Sequence, residues 1–164
     1  MTATIGDTGA AVRSLAFAGT PGALVLIAPR FAAEPPLARE DEASILETAW
    51  ARIAGRLPDG AVARRVGRSI DAVVAGSRDE LIAVARGVIA SLIGDRGTAR
   101  ARWQIAMIKI AGDPDRALMC DPGDDLAARE GDVIAWAEPD DRDDWRIAGR
   151  YPAVTFEPTL IVRR

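Results

Sequence analysis

The fold is decided by the stretch Arg65-Val66-Gly67-Arg68-Ser69-Ile70-Asp71-Ala72-Val73-Val74. The two ends of this stretch are rich in apolar, β-favouring residues, and a break that contains a glycine separates them. Two short strand signals around such a break predict a β-hairpin, with arms at Ala61–Val66 and Ile70–Ala75. The turn between the arms is expected to project its side chains outward.

Amphipathic helices are predicted on both sides of the hairpin along the chain. After the hairpin, apolar residues recur at helical spacing from Ser77 to about Ile93, and Ser77 with Glu80 forms a capping-box signature. Before it, Arg39–Arg56 has the same periodicity and carries acidic residues in its first turn, where the helix dipole favours them. Both helices are therefore expected to bury one face.

The remaining segments supply further strands and short helices. The apolar run Ala23–Ala28, which we expect Pro29 to stop, is typical of a central strand that is buried on both faces. We also predict strands at Ala101–Ala111, Val133–Ala137 and Ala153–Val162, short helices at Ala10–Phe17 and Leu126–Glu130, and loops at Gly112–Asp125 and Glu138–Asp144. This alternation predicts an α/β or α+β fold with helices packed on a sheet.

Composition excludes several classes of chemistry. The 164 residues carry a net charge of −3, so general attraction to nucleic acid or to an anionic membrane is not expected. The chain has no histidine, which excludes His-based triads and His-ligated metal sites, and its single cysteine, Cys120, fits a reducing compartment. No run approaches the length of a membrane helix, and the first residues lack a signal-peptide plan. We therefore expect a cytoplasmic protein.

Three local matches resemble the GGDEF domain of diguanylate cyclases. That family makes cyclic di-GMP from two GTP molecules at a site formed between two protomers. Leu24–Phe31 resembles its first strand, an apolar run followed by Asp-x-Asp-x-Phe, and Arg65–Val74 aligns without a gap to its signature, Arg-x-Gly-Gly-Asp/Glu-Glu-Phe-Ala-Val-x. Ser77–Leu92 stands where the family has its next helix. The resemblance covers about residues 20–135 and implies a palm-like, nucleotidyl-cyclase fold with a central, mostly antiparallel sheet.

The resemblance also implies a domain division. It assigns residues 1–22 to an N-terminal segment, 23–137 to the GGDEF-like domain and 138–164 to a C-terminal extension. The extension is expected to add a β segment that packs on the same domain or on a partner, because an apolar strand must find a sheet.

The resemblance further implies that the catalytic groups are lost. The family's two metal-binding acids correspond to Ile27 and Ser69, and the signature turn is degenerate throughout, comprising Gly67, Arg68, Ser69, Ile70 and Asp71. Two-metal phosphoryl transfer needs carboxylates to hold the cations. We therefore expect no cyclase activity, no catalytic residue, no metal and no other cofactor. The acidic residues between 113 and 125 do not change this expectation, since their spacing fails the EF-hand pattern.

Arginines are the candidate ligand-binding residues. The family's inhibitory product site, Arg-x-x-Asp, has a counterpart in Arg56 and Asp59, although two additional residues separate it from the signature. An ordinary helix end followed by a turn explains the same residues. Arg65 and Arg68 are further candidates. Six arginines lie near the hairpin or near the predicted strand Ala101–Ala111. We expect them either to form an anion-binding site or to be solvated or paired with nearby Asp and Glu residues. They are Arg64, Arg65, Arg68, Arg96, Arg100 and Arg102.

Tryptophans give the last predictions. Trp50 and Trp103 fall on apolar faces and are expected in the core, whereas Trp136 and Trp145, beside the acidic loop, are interpreted as marks of a contact surface.

The sequence thus predicts a catalytically inactive GGDEF-like domain, a regulatory or protein-interaction module in bacterial cyclic-dinucleotide signalling. Its expected partners are a second copy or a signalling protein, with cyclic di-GMP as a candidate ligand and neither nucleic acid nor membrane. The alternative is a receptor that binds cyclic di-GMP or GTP through arginines without turnover. A third interpretation is an unrelated α/β protein.

Overall fold

A seven-stranded sheet organises the computed structural model, which describes residues 4–31, 37–110, 113–120, 132–138 and 145–151. Its strands are β1 (Thr4–Ile5), β2 (Gly22–Phe31), β3 (Val62–Val66), β4 (Ser69–Ala75), β5 (Ala101–Ile110), β6 (Asp132–Ala137) and β7 (Trp145–Tyr151). Their spatial order is β1-β3-β4-β2-β5-β6-β7. The β1–β3 and β5–β6 pairs are parallel and the other pairs are antiparallel, which confirms the mostly antiparallel sheet.

The central strand is β2, as the apolar run predicted. It pairs with β4 from Gly22 to Ile27 and with β5 along its whole length. The expectation that Pro29 stops this strand is wrong, because β2 continues through Pro29 to Phe31. The pairing with β4 has already ended at Ile27, so at the proline β2 has a single neighbour among the described strands. A residue without a backbone N–H is tolerated in such a segment.

Helices cover both faces of the sheet, so the fold has three layers. One face carries α2 (Arg39–Arg56) and α3 (Arg78–Ile93), and the other carries α1 (Thr8–Ala18) and α4 (Pro114–Met119). The bounds of α2 match the prediction. The helix α3 begins after Ser77, whose hydroxyl accepts from the backbone N–H of Glu80 while the Glu80 carboxylate accepts from that of Ser77. The predicted capping box is confirmed.

The larger part of the core lies under α2 and α3. Trp103 is fully buried there, and its indole N–H donates to the carbonyl of Thr98 at 2.8 Å. Trp50 is only partly buried, but it packs against the same cluster, so of the two tryptophans predicted in the core Trp103 lies inside it and Trp50 borders it. The interpretation of Trp136 as part of a contact surface is wrong. Its side chain is buried, its ring contacts the Arg78 guanidinium at 5.7 Å, and its indole N–H donates to Glu138.

Other differences from the prediction concern short elements. The segment Gly112–Asp125, which was predicted as a loop, contains the helix α4. This helix can form because Asp113 caps its N-terminus and Pro114 fits in its first turn. The strand β1 was not predicted, since two residues carry no periodicity. The strand β7 pairs with β6 and was not predicted, since the C-terminal strand was expected at Ala153–Val162. The predicted helix at Leu126–Glu130, the predicted strand at Ala153–Val162 and most of the predicted loop at Glu138–Asp144 lie outside the described residues.

Within the described ranges, none of the helices combines the length and apolar character that crossing a bilayer requires.

Removing the cap of α3 should weaken the fold. We expect Ser77→Ala to lower the free energy of unfolding by about 1 kcal/mol. The backbone N–H of Glu80 loses its side-chain acceptor, and the reciprocal bond from the backbone N–H of residue 77 to the Glu80 carboxylate loses its partner in the capping box. Ser14→Ala is the matched control, since Ser14 is exposed in the interior of α1 and should change stability by less than about 0.5 kcal/mol. Urea unfolding measures both, and equal effects would contradict the role of the cap.

Candidate functional site

The hairpin stretch forms β3, a two-residue turn and β4. Val66 pairs with Ser69 at the end of the ladder, so Gly67 and Arg68 make the turn. Gly67 has a φ of 60°, the left-handed conformation that tight hairpin turns require and that glycine adopts without strain. Gly67 therefore has a clear structural function in the turn.

The two positions to which the resemblance assigns metal-binding acids lie on neighbouring strands. Ile27 on β2 is directly opposite Ile70 on β4, and Ser69 is one residue out of that register. Since side chains alternate between the faces of a sheet, Ile27 and Ile70 share the face under α2 and α3, whereas Ser69 belongs to the other face. Ser69 is half-buried. The structure thus separates the two side chains.

The surroundings of Ile27 are apolar. Its side chain is 1% exposed and lines a small cavity between α3 and the sheet with Val25, Leu57, Val88 and Met107, and every side chain of that lining is hydrophobic. A cation in such a place would find no oxygen ligands. Among the described residues, no three Cys, Asp or Glu side chains are grouped to hold a metal ion.

Restoring an acid at position 27 should destabilise the protein. We expect Ile27→Asp to cost at least about 3 kcal/mol, because the variant loses a buried aliphatic side chain and places a carboxyl group in an apolar core. The control Ile27→Val should cost only about 0.5–1.5 kcal/mol, as it deletes a single methylene. Denaturant unfolding compares the two, and a stability of Ile27→Asp close to that of Ile27→Val would contradict the apolar character of this position.

The arginines of the hairpin are engaged with acidic residues of α2. The guanidinium of Arg65 forms an ion pair with Glu47, and that of Arg68 forms one with Glu42 at 2.8 Å. The Arg68 guanidinium also lies over the ring of Phe31, 5.8 Å from its centroid. These contacts tie the turn to α2. Because each pair includes a side chain that is about two-thirds exposed, each ion pair contributes at most about 1 kcal/mol to stability.

A third ion pair lies on the other face of the hairpin. Arg64 and Asp71 are directly opposite each other on β3 and β4, with 3.8 Å between the Arg64 Nε and an Asp71 carboxylate oxygen. The Asp71 side chain is only 18% exposed. Burial raises the pKa of the Asp71 carboxyl, and the charge of Arg64 offsets this rise only in part. The folded protein therefore holds the Asp71 proton more tightly than the unfolded chain does.

This raised pKa predicts the direction of a pH effect. Asp71 favours folding when it is protonated, and this contribution is lost as the pH rises through its folded-state pKa. We therefore expect Asp71→Asn to raise the melting temperature at pH 7, with a gain that shrinks as the pH falls toward the ordinary aspartate pKa of about 3.9. Asp41→Asn, at an exposed site in α2, should show no gain. A pH-independent effect of Asp71→Asn would contradict this prediction.

The predicted Arg-x-x-Asp pattern lies at the end of α2. The helix ends at Arg56, and the backbone N–H of Ala61 donates to the carbonyl of Pro58 at 3.1 Å. Gly60, at the third position of this turn, has a φ of 89°, as a type II turn requires. The side chains of Arg56 and Asp59 are both exposed at this helix end. Local turn geometry accounts for the arrangement.

Sequence reasoning missed the acidic partners of the hairpin arginines. Glu42 and Glu47 lie in a helix that precedes the hairpin by some 20 residues, and nothing in the sequence indicates which exposed acids of α2 face the turn. Sequence reasoning also missed the half-buried Asp71. An acidic residue inside an apolar strand signal, Ile70-Asp71-Ala72-Val73, was the available indication of an unusual environment.

With this geometry described, the chain can be compared with known proteins. No protein-family model matches the sequence, and no curated protein matches it. Solved structures do match, and two of them are GGDEF domains of PA1120 (TpbB or YfiN) from Pseudomonas aeruginosa. A truncated form that comprises only this domain aligns with a TM-score of 0.56 and 17% identity, covering 82% of this chain and 87% of that chain.

The second similar structure is a crystal structure of the same GGDEF domain. It aligns with a TM-score of 0.53 and 19% identity, covering 68% of this chain and 80% of that chain. The class of protein that the layers and the hairpin define is thus an α+β domain with helices on both faces of a mostly antiparallel sheet. The particular fold is that of a GGDEF domain. The resemblance that the sequence indicated therefore holds at the level of the fold.

Proposed function

We propose that this chain is a GGDEF-like domain without diguanylate cyclase activity, and that it is a regulatory or protein-interaction module in bacterial cyclic-dinucleotide signalling. The observation that carries the proposal is Ile27. The resemblance assigns a metal-binding carboxylate to this position, and the chain has an isoleucine there that is 1% exposed in an apolar core. Ser69 replaces the second acid on the neighbouring strand. Two-metal phosphoryl transfer has no carboxylates to use at these positions.

The ion pairs of the hairpin support an interaction module over a receptor that uses the turn. Arg65 and Arg68, the candidates for ligand binding in the turn, face Glu47 and Glu42 of α2. An anionic ligand would have to displace these carboxylates, and their negative charges beside it would weaken its binding. The degenerate turn therefore serves better as a fixed part of the surface than as a phosphate site.

The partner in this proposal is a second copy of the chain or a signalling protein, bound through the C-terminal extension. The described part of that extension supports the idea through its position, because β7 is the outermost of the described strands on its side of the sheet. An outermost strand offers backbone N–H and C=O groups to another chain. We place the protein in the cytoplasm, where a single cysteine, Cys120, would stay reduced.

The receptor alternative has one observation in its favour. Arg56 is exposed at the end of α2 and forms no ion pair with any described residue, and Asp59 is exposed three residues further on. An arginine in such a place can bind a phosphate group of cyclic di-GMP or GTP.

The two functions make different predictions for the purified protein. We expect no cyclic di-GMP by chromatography after incubation with GTP and Mg²⁺, and no heat in calorimetric titrations with cyclic di-GMP or with GTP and Mg²⁺. Micromolar binding that Arg56→Ala abolishes and the control Arg96→Ala preserves would instead establish the receptor. Formation of cyclic di-GMP that stops when Mg²⁺ is chelated would contradict both functions.

A further inference from the structure

The helix α1 is apolar on its solvent side as well as on the side that packs on the sheet. Its inner side supplies Val12, which is fully buried, and Leu15 to the smaller core cluster. On its solvent side Phe17 is 97% exposed, and Arg13 is the only charged residue of this 11-residue helix. A surface helix ordinarily has charged and polar residues opposite its buried stripe, and a helix that is apolar all round is buried. The exposed phenyl ring therefore marks a surface that fits a partner.

The short helix α4 extends this apolar surface. It packs beside α1 on the same face of the sheet, and its Met119 is 81% exposed. The Arg13 guanidinium and the Asp115 carboxylate link the two helices, with 3.8 Å between nitrogen and oxygen. Phe17 follows Arg13 by one helical turn and Met119 follows Asp115 by one turn, so each apolar side chain lies on the same side of its helix as the charged one. We call this surface the α1–α4 face, and it comprises Ala10, Arg13, Phe17, Asp115 and Met119.

The charges of the α1–α4 face fit a second copy of the same chain. A two-fold interface brings a surface onto itself, so a surface with a large excess of one charge repels its copy. Here one arginine stands beside one aspartate, and the side chains of Arg13 and Asp115 are 60% and 66% exposed. In a two-fold pair each of them can face the opposite charge of the other copy. A nucleic acid or an anionic membrane would instead favour a row of basic residues, which the α1–α4 face lacks.

We propose that the α1–α4 face binds a second copy of this chain across a two-fold axis, with Phe17 as the apolar anchor. Antiparallel packing of two α1 helices brings Phe17 of one copy to the Ala10 end of the other, where the side chain is small. Buried aromatic side chains are typical anchors of protein interfaces.

The size of the α1–α4 face sets the expected affinity. The face is about 16 Å long and two helices wide, which is less than a standard interface, so the dimer is expected to dissociate at roughly micromolar concentration. This surface is separate from the outer strand β7, and the inference does not rest on the proposed function.

Sedimentation velocity of the full chain tests the dimer. Between about 1 µM and about 500 µM, we expect the wild type to shift from monomer to dimer. Phe17→Glu should raise the dissociation constant roughly tenfold or more, because it replaces the anchor with a charge. The control Ala83→Glu adds the same charge at an exposed position in α3 and should associate like the wild type. Melting curves at the lowest concentration should show that both variants are folded, since both positions are exposed.

Two charge reversals test whether the face meets its own copy. Arg13→Asp places two acids side by side on the face, and Asp115→Arg places two bases there. Each variant alone should be mostly monomeric at concentrations where the wild type dimerises, because it repels its copy. An equimolar mixture of the two should form dimers, since the faces then carry opposite charges.

Three results would overturn the proposal. The first is a wild type that stays monomeric at the highest concentration, an outcome that leaves a signalling protein as the partner in the proposed function. The second is an equal dissociation constant for the wild type and Phe17→Glu, which would assign the association to another surface such as β7. The third is a mixture of Arg13→Asp and Asp115→Arg that associates no better than either variant alone.

Discussion

The register of β2 between β4 and β5 is the constraint on which the rest of the structure depends. Ile27 lies opposite Ile70 on one side and Ile105 on the other, and all three side chains are buried under α2 and α3. A slip by one residue would turn each strand over and bring polar side chains into this core. Burial of the apolar set therefore fixes the register, and the register in turn fixes which residues of the hairpin face the core.

The hairpin turn makes contacts with neighbouring elements in this framework. Gly67 has the left-handed conformation that the turn needs. The Arg68 guanidinium forms an ion pair with Glu42 and lies over the ring of Phe31. Arg65 forms an ion pair with Glu47, which is also a residue of α2. Exposed ion pairs contribute little energy individually, but several contacts in one small region orient the turn against α2. A turn held in this way is suited to presenting a fixed surface.

The two faces of the sheet differ in character. The face under α2 and α3 is covered by two long helices and is almost entirely apolar. The other face carries the shorter helices α1 and α4 over a small apolar cluster, and its polar residues lie further along the same strands. They include the ion pair of Arg64 with the half-buried Asp71 and the opposed pair Arg30 and Arg102. Burial within this face raises the pKa of the Asp71 carboxyl even though the charge of Arg64 beside it opposes the rise.

The sequence by itself determined the elements and the nature of the core. Helical periodicity and the capping box located α2 and α3, the apolar run located β2, and the glycine break located the hairpin, because these signals are local. The sequence also placed isoleucine and serine at the positions where the resemblance expects metal ligands. It could not locate β1 and α4, which are short and depend on pairing or on caps, and it did not predict β7.

Only the tertiary structure decided which charges meet. Arg30 and Arg102 are about 70 residues apart in sequence, and strand register alone makes them neighbours. Glu42 and Glu47 reach the hairpin because α2 packs beside it, and Asp71 is half-buried because it lies inside a strand of the sheet. Interactions between charges depend on distance and on solvent exposure, and both are set by the packing of elements that are remote along the chain.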